Sequence, residues 1–131
     1  MTEASNTVPA VPMSPFRVAG DLMFLSGQLP FQADGTFANG IEAQTQQCLE
    51  NIKKIIEAEG ADISQILKVT TWLVNKSDFA AYNNVYRDFF GDVTFPARST
   101  VVSELALNGA LIEIEAIVQR RQSFLILHAV L

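Results

Sequence analysis

The stretch Leu111-Ile112-Glu113-Ile114-Glu115-Ala116-Ile117-Val118 indicates how the chain folds, because apolar and acidic side chains alternate along it. Successive residues of a β-strand point to opposite faces of a sheet. The even-numbered positions of this stretch are all apolar and form one face, whereas Glu113 and Glu115 belong to the other. We therefore predict a strand over residues 111–120 with one face against a hydrophobic core.

The segment before this strand contains another predicted strand, Ser99–Ser103, and then the dipeptide Asn108-Gly109. Asn-Gly is typical of tight hairpin turns, since both of its residues tolerate a positive φ angle. We therefore expect the last two strands to pair with each other as a hairpin.

Two helices are predicted from apolar residues that recur every three to four positions. The first spans Ile41–Glu59 and ends before Gly60, and the second begins after the capping residue Ser77 and ends near Gly91. Short runs of apolar and β-branched residues predict three more strands, of which the first two form a hairpin: Phe16–Val18, Leu22–Ser26 and Lys68–Val74.

The predicted order of elements is β-β-α-β-α-β-β, an α+β fold in which both helices pack on one face of a mixed sheet. We assign this domain to residues 16–121. We expect residues 1–15 to form an extended lead-in, because they contain three prolines. Residues 122–131 are an apolar extension, and the sequence does not indicate its conformation. The second face of the sheet needs a cover, which a symmetric partner would provide.

The composition excludes several classes of function. The 131 residues carry a net charge of −5 and the isoelectric point is about 4.7, which disfavours nucleic acid as a partner. No apolar run is long enough to span a membrane and no signal peptide is recognisable, so we expect a cytoplasmic protein without a membrane partner. One cysteine and one histidine allow neither an intramolecular disulfide nor a zinc site of usual spacing.

Hydrophobic residues make up 49% of the chain, a high proportion for a small monomer. Apolar surface buried between subunits would account for this proportion. A densely filled core together with the apolar C-terminal extension is the alternative explanation.

Four residues are candidates for a functional site. Glu113 and Glu115 lie on one strand face beside apolar neighbours that can perturb their pKa values, although an ordinary half-exposed strand would show the same pattern. Arg98 follows a proline at the start of a strand and could bind a carboxylate bidentately, or could simply pair with an acidic neighbour. Gly27 could allow a close approach to the backbone, or could serve strand geometry alone.

Cys48 is a weaker candidate. It lies on the apolar side of the first predicted helix, so we interpret it as a buried, unreactive thiol and not as a nucleophile.

Six segments of the chain resemble, in order and in spacing, the successive motifs of the RidA (YjgF) family of reactive-intermediate deaminases. The resemblance runs from about Phe16 to Arg121. The segments are Ser26–Pro30, Gln44–Ile52, Val69–Leu73, Asp78–Asn83 with the aromatic residues that follow it, Pro96–Ser99 and Ile112–Ala116.

The resemblance implies a chorismate-mutase-like α+β fold, a homotrimer whose sheets form a central barrel, and ligand clefts between subunits. It also implies hydrolysis of 2-imino acids or their enamine tautomers to 2-oxo acids and ammonia, without a cofactor. Arg98 matches the family's carboxylate-binding arginine, and Glu113 matches the glutamate that positions or activates water. Gly27 and Thr100 would line the cleft, and Asn83 would lie near it.

Two positions depart from the motifs of family members that deaminate imines. Phe16 stands where those members usually have tyrosine, and Thr100 stands where they have cysteine, so the rate or the substrate preference could differ from theirs. A non-catalytic module that senses small carboxylates, or acts like a chaperone, is the alternative function. An endoribonuclease or translation inhibitor is disfavoured by the acidic composition.

Overall fold

The computed structural model describes residues 11–120. Residues 1–10 of the expected lead-in and the apolar extension at residues 122–131 lie outside the described part, and residues 11–15 contain neither helix nor strand. The element order agrees with the prediction. The elements are β1 (Phe16–Ala19), β2 (Leu22–Leu25), α1 (Ile41–Ala58), β3 (Ile66–Leu73), α2 (Phe79–Phe90), β4 (Ala97–Val102) and β5 (Ile112–Gln119).

The five strands form one mixed sheet in the order β1-β2-β5-β3-β4. The predicted hairpin of β1 and β2 is confirmed, with Phe16 opposite Leu25. The predicted hairpin of β4 and β5 is wrong, because β3 lies between them and pairs with β4 in parallel and with β5 in antiparallel orientation. Asn108-Gly109 instead lies in a long connection, where a local bond from Ala110 N–H to Leu107 O closes a turn.

The helix boundaries are close to the prediction, with one exception. Gly60 and Gly91 both have positive φ angles, of 83° and 56°, and each follows the end of a helix as expected. The predicted capping role of Ser77 is wrong. Ser77 lies inside a 3₁₀ turn, Lys76–Asp78, so Asp78 occupies the N-cap position of α2 and no side chain caps that helix.

Both helices pack on one face of the sheet, as predicted. The apolar side of β5 is at the centre of this core: Ile112, Ile114 and Val118 are fully buried. The two helices add further core residues: Cys48, Leu49, Ile52 and Ile56 from α1, and Tyr82, Tyr86 and Phe90 from α2.

The opposite face of the sheet is only partly buried. Glu113 and Glu115 of β5 alternate there with the core residues, and Trp72 and Thr70 of β3 lie directly opposite them. Within residues 11–120 no helix covers this face, which we call the open face. Its apolar residues include Phe24, which is 42% exposed. This is the uncovered surface that the sequence predicts.

Gln44 joins α1 to the connection before β5, a role that the sequence does not reveal. Its side chain is buried, and its amide nitrogen donates to the carbonyl oxygens of Ala38 and Gly109 at 3.0 Å each. Its amide oxygen accepts from the N–H of Leu111 at 2.7 Å. One buried side chain therefore satisfies three backbone groups beside the start of β5.

Replacing Gln44 with leucine should lower the free energy of unfolding by about 2 to 4 kcal/mol, because three backbone groups would lose their partner in a buried setting. Urea denaturation of the wild type and of Gln44→Leu measures this difference. Gln46→Leu is the matched control, since Gln46 is exposed on the same helix, and it should change the free energy by about 0.5 kcal/mol or less. Equal effects of the two substitutions would contradict this role for Gln44.

Candidate functional site

Arg98 lies near the start of β4, and the register of the sheet fixes the side to which it points. It is paired with Val69, whose side chain is fully buried under the helices. Paired residues of adjacent strands point to the same face of a sheet. Arg98 therefore belongs to the helix side of the sheet, at the edge formed by β4.

The Arg98 guanidinium rests against three aromatic rings of α2. Its central carbon lies 5.8 Å from the ring centroid of Phe79, 5.0 Å from that of Tyr82 and 4.8 Å from that of Tyr86. Each distance is within the range of a cation–π contact. Within residues 11–120 no carboxylate forms an ion pair with Arg98. The structure thus contradicts, for the described residues, the simple alternative of a surface arginine paired with an acid.

Tyr82 lies close to Thr71, Thr100 and Arg98. Its hydroxyl lies 2.6 Å from the Thr71 hydroxyl, and Thr100 and Arg98 are near enough to lower its pKa. Burial raises the pKa of Tyr82, and the bond with Thr71 opposes this rise only in part. Burial likewise raises the pKa of Tyr86. Both rings are therefore neutral near pH 7, and Thr100, paired with the buried Thr71, lies on the same side of the sheet as Arg98.

A pocket of about 300 Å³ opens beside Arg98, between α2 and the segment that leads into β4. The buried Oδ1 of Asn83 and the buried hydroxyl of Tyr86 have no hydrogen-bond partner within the described residues. Arg98 and Asn83, two predicted site residues, thus border the same cavity. Its lining consists of Asn83, Tyr86, Arg87, Phe95, Pro96 and Arg98.

Glu113 lies on the open face, directly opposite Trp72 of β3. Burial raises the pKa of Glu113, and the negative charge of Glu115 raises it further. A carboxyl group with a raised pKa is better matched to proton transfer near neutral pH than an ordinary one. The pattern of β5 alone could not distinguish this environment from an ordinary exposed strand face.

Gly27 is the close neighbour of this carboxyl group. A Cβ atom built on Gly27 would overlap Oε2 of Glu113, and it would lie 3.0 Å from Cδ and 3.2 Å from Cγ. The backbone of the next residue, Gln28, exchanges two hydrogen bonds with Ile114, which holds the two segments together. Gly27 is therefore a site of close approach, but the group that approaches it is Glu113.

A second pocket, of about 230 Å³, borders Glu113 on the open face. Trp72 forms one of its walls, and the sequence offered no reason to single out this residue. Trp72 alternates with the buried residues of β3, which indicates that it lies on the open face. Its position opposite Glu113 depends on the order of the strands in the sheet. The remaining lining comes from Ser103, Glu104, Leu105 and Ala106.

Phe16 lies at the other edge of the sheet. It pairs with Leu25, two residues before Gly27, and packs against the hydrophobic core. Because Leu25 is a core residue, Phe16 points to the core side of the sheet, and these contacts do not join it to Glu113. Thr100 and Asn83 belong with Arg98, and Gly27 belongs with Glu113, so these predicted site residues fall into two groups within one chain.

These two groups lie on opposite sides of the sheet. Arg98 contacts the rings of α2 on the helix side, whereas Glu113 lies on the open face with Trp72. Because the sheet lies between the two side chains, we expect that one small ligand does not touch both side chains of the same chain. A site that uses both residues would then combine the Arg98 group of one chain with the Glu113 group of another.

Cys48 is buried, and its sulfur lies 3.9 Å from the carbonyl oxygen of Ile112. Burial raises the pKa of this thiol, so the thiolate is disfavoured at neutral pH. This is the environment predicted for a structural cysteine.

Comparison with known proteins gives a consistent result. Residues 4–120 match the family model described as Endoribonuclease L-PSP. A relative from Salmonella typhimurium, named 2-iminobutanoate/2-iminopropanoate deaminase, is 41% identical over 105 residues, which is 78% of this chain and 82% of the relative.

Solved structures resemble the fold closely. The yjgF gene product of Escherichia coli matches with a TM-score of 0.79 at 37% identity, and the match covers 84% of this chain and 89% of that one. Escherichia coli TdcF, solved with bound serine, matches with a TM-score of 0.80 at 33% identity, covering 86% and 91% of the two chains. Among the described residues, no helix has the length and apolar character needed to cross a membrane.

Gly27→Ala should displace the Glu113 carboxyl group, because the new methyl group would occupy its place. The strain should lower the free energy of unfolding by about 1 kcal/mol. In a Glu113→Ala background the obstacle is gone, so the same change should lower it by less than about 0.5 kcal/mol. Denaturant unfolding of the four proteins of this double-mutant cycle measures the coupling. Equal losses in both backgrounds would show that Gly27 serves strand geometry alone.

Proposed function

The chain belongs to the Endoribonuclease L-PSP family, which is the RidA (YjgF) family that its motifs resemble, and on this basis we propose that it hydrolyses small 2-imino acids. The products would be a 2-oxo acid and ammonia, with 2-iminopropanoate and 2-iminobutanoate as candidate substrates. The name of the Salmonella typhimurium relative supports this choice. The observation that carries the proposal is an arginine without an acidic partner in the described chain, together with a glutamate of raised pKa.

Arg98 is the proposed binding group for the substrate carboxylate. A planar guanidinium can donate two parallel hydrogen bonds to a carboxylate, and the three rings behind it limit its motion. A substrate held in this way would present its imine carbon in a fixed direction. Fixed orientation of the reacting atoms can supply a large part of the catalysis.

Glu113 is the proposed general base. It would take a proton from water as the oxygen of that water bonds to the carbon of the protonated imine and the C=N double bond becomes single, which leaves a neutral amino group. The Glu113 carboxyl group would then protonate this nitrogen, and return of the hydroxyl proton to the Glu113 carboxylate would let ammonia leave while the carbonyl forms. A raised pKa suits both steps, since the same group accepts a proton and later returns it.

A homotrimer is the proposed assembly, because the two residue groups need different chains and the open face needs a cover. The Arg98 group would contribute Asn83 and Thr100 to a cleft between subunits. The Glu113 group of the neighbouring chain would contribute Gly27, and the family resemblance adds Phe16 to the same cleft. Closed cyclic symmetry would complete three equal clefts with one kind of contact.

The two departures from the family motifs have different consequences in this scheme. Phe16 has no hydroxyl group, so a hydrogen bond worth about 0.5 to 1.5 kcal/mol would be missing from the cleft. Thr100 keeps its backbone groups, and its side chain lies near the Tyr82 hydroxyl. We therefore expect a difference from other family members in rate or in substrate preference.

A carboxylate-binding module without catalysis is the rival proposal. Binding of serine to the related TdcF supports a ligand of amino-acid size, and such binding needs no chemistry. The rival would use Arg98 in the same way but give no role to the raised pKa of Glu113. The family model carries the name endoribonuclease, but a net charge of −5 disfavours the binding of RNA that such an activity requires.

Glu113→Gln separates the two proposals, because the amide keeps the shape of the side chain and loses its ability to accept a proton. We expect kcat for 2-iminobutanoate to fall about 100-fold or more, while the affinity for 2-oxobutanoate changes by less than about threefold. Turnover of imines generated in situ and isothermal calorimetry measure the two quantities. Glu115→Gln is the control, with the same charge change on the same strand face.

Activity in the wild type and in Glu115→Gln, with loss in Glu113→Gln alone, would support deamination. Carboxylate binding without turnover in the wild type would support the rival module. Equal loss of kcat and of affinity in Glu113→Gln would mean that this residue has a structural role.

A further inference from the structure

The pocket beside Arg98 contains a second arginine. Arg87 and Arg98 both line this cavity of about 300 Å³, and no aspartate or glutamate is among its lining residues. The chain as a whole carries a net charge of −5, so two cations in one small pocket contrast with its general character. Clustered positive charge raises the local concentration of anions with more than one charge.

Arg87 follows Asn83 by one turn of α2. Residues four apart on a helix lie on the same face, about 6 Å apart along its axis. Arg87 therefore lies farther along the pocket wall that already holds Asn83. Both arginines line one cavity, so a ligand that carries two anionic groups can contact both.

No acidic group of the described chain forms an ion pair with Arg87. Its guanidinium donates a hydrogen bond of 3.1 Å to Oδ1 of Asn84, a neutral group, and the side chain is exposed. Within residues 11–120 no ion pair involves it, although Asp88 is its neighbour in the chain. Most of the donors of Arg87 are thus available to a ligand.

We propose that Arg87 binds a second acidic group of the ligand, so that the preferred substrates are 2-imino dicarboxylates. This inference rests on the proposed function, since Arg98 would hold the carboxylate next to the imine and Arg87 the carboxylate at the end of the side chain. The aromatic walls formed by Tyr86 and Phe95 suit the methylene groups between the two carboxylates. Arg87 is then a specificity-determining residue.

A purely structural role for Arg87 makes a different prediction. The residue lies in the last turn of α2, where a positive charge stabilises a helix through its dipole. That effect would change the stability of the protein but would not distinguish one ligand from another. The ratio of two affinities, measured on the same protein, therefore isolates the proposed role.

The test uses the full-length protein and two 2-oxo acids as product analogues: 2-oxobutanoate, with one carboxylate, and 2-oxoglutarate, with two. Calorimetry gives both dissociation constants for the wild type, Arg87→Gln, Arg87→Lys and Lys54→Gln. Lys54→Gln removes one positive charge from an exposed site on α1 that lines a different groove. A competing imine assay compares substrates of the two classes.

We expect the wild type to bind 2-oxoglutarate about three- to tenfold more tightly than 2-oxobutanoate, the range for a partly exposed charged contact. Arg87→Gln should abolish this preference, Arg87→Lys should keep part of it, and Lys54→Gln should keep it fully. The preference should also shrink as salt is added.

An absence of preference in the wild type, or a preference that survives in Arg87→Gln, would overturn the inference. These outcomes are independent of the proposed function. If 2-oxoglutarate is preferred through Arg87 but no imine is hydrolysed, the pocket has the proposed specificity and the catalytic proposal fails. If 2-iminobutanoate is hydrolysed and no dicarboxylate is preferred, the catalytic proposal holds and the proposed specificity fails.

Discussion

A β-strand sends successive side chains to opposite faces of its sheet, and in this protein that rule separates Glu113 from Arg98. Ile112 and Ile114 anchor β5 in the core, so Glu113 between them must face the other way. Arg98 is paired with the buried Val69 in the parallel register of β3 and β4, so its side chain points to the helix side. The core and the two halves of the candidate site are therefore determined by the same register. The proposed need for a second subunit follows from this register.

Each half of the candidate site contains polar groups whose surroundings in a single chain are unfavourable. Glu113 is partly removed from water beside a second carboxylate, and its pKa is raised as a result. Arg98 lies on an aromatic surface without a negative partner in the described chain. Asn83 and Tyr86 add buried polar atoms without partners there. Such features destabilise a monomer, and a ligand or a neighbouring subunit can offset them.

The sequence predicts those parts of the fold that depend on local patterns. The helix periods, the β1–β2 hairpin and the two faces of β5 could all be recognised because each involves neighbouring residues. The pairing of β4 with β3 could not be recognised, because packing over the whole domain determines which strand lies next to β4. The local signal of Asn108-Gly109 was misleading. The same limit applies to the site. Arg98 and Glu113 were recognised through the family motifs, whereas the contacts of Trp72 and Tyr82 depend on strand order and on helix packing.

Subunit complementation tests the divided site most directly. Arg98→Lys and Glu113→Gln chains, each with its own affinity tag, are co-expressed, and mixed oligomers are isolated through both tags and checked for trimer mass. A site between chains is intact when Arg98 comes from a Glu113→Gln chain and Glu113 comes from an Arg98→Lys chain, which holds for about a third of the sites in trimers that contain both variants. We predict that mixed trimers recover about that fraction of wild-type imine hydrolysis, although each variant alone is nearly inactive. Mixed oligomers no more active than the separate variants would contradict the account.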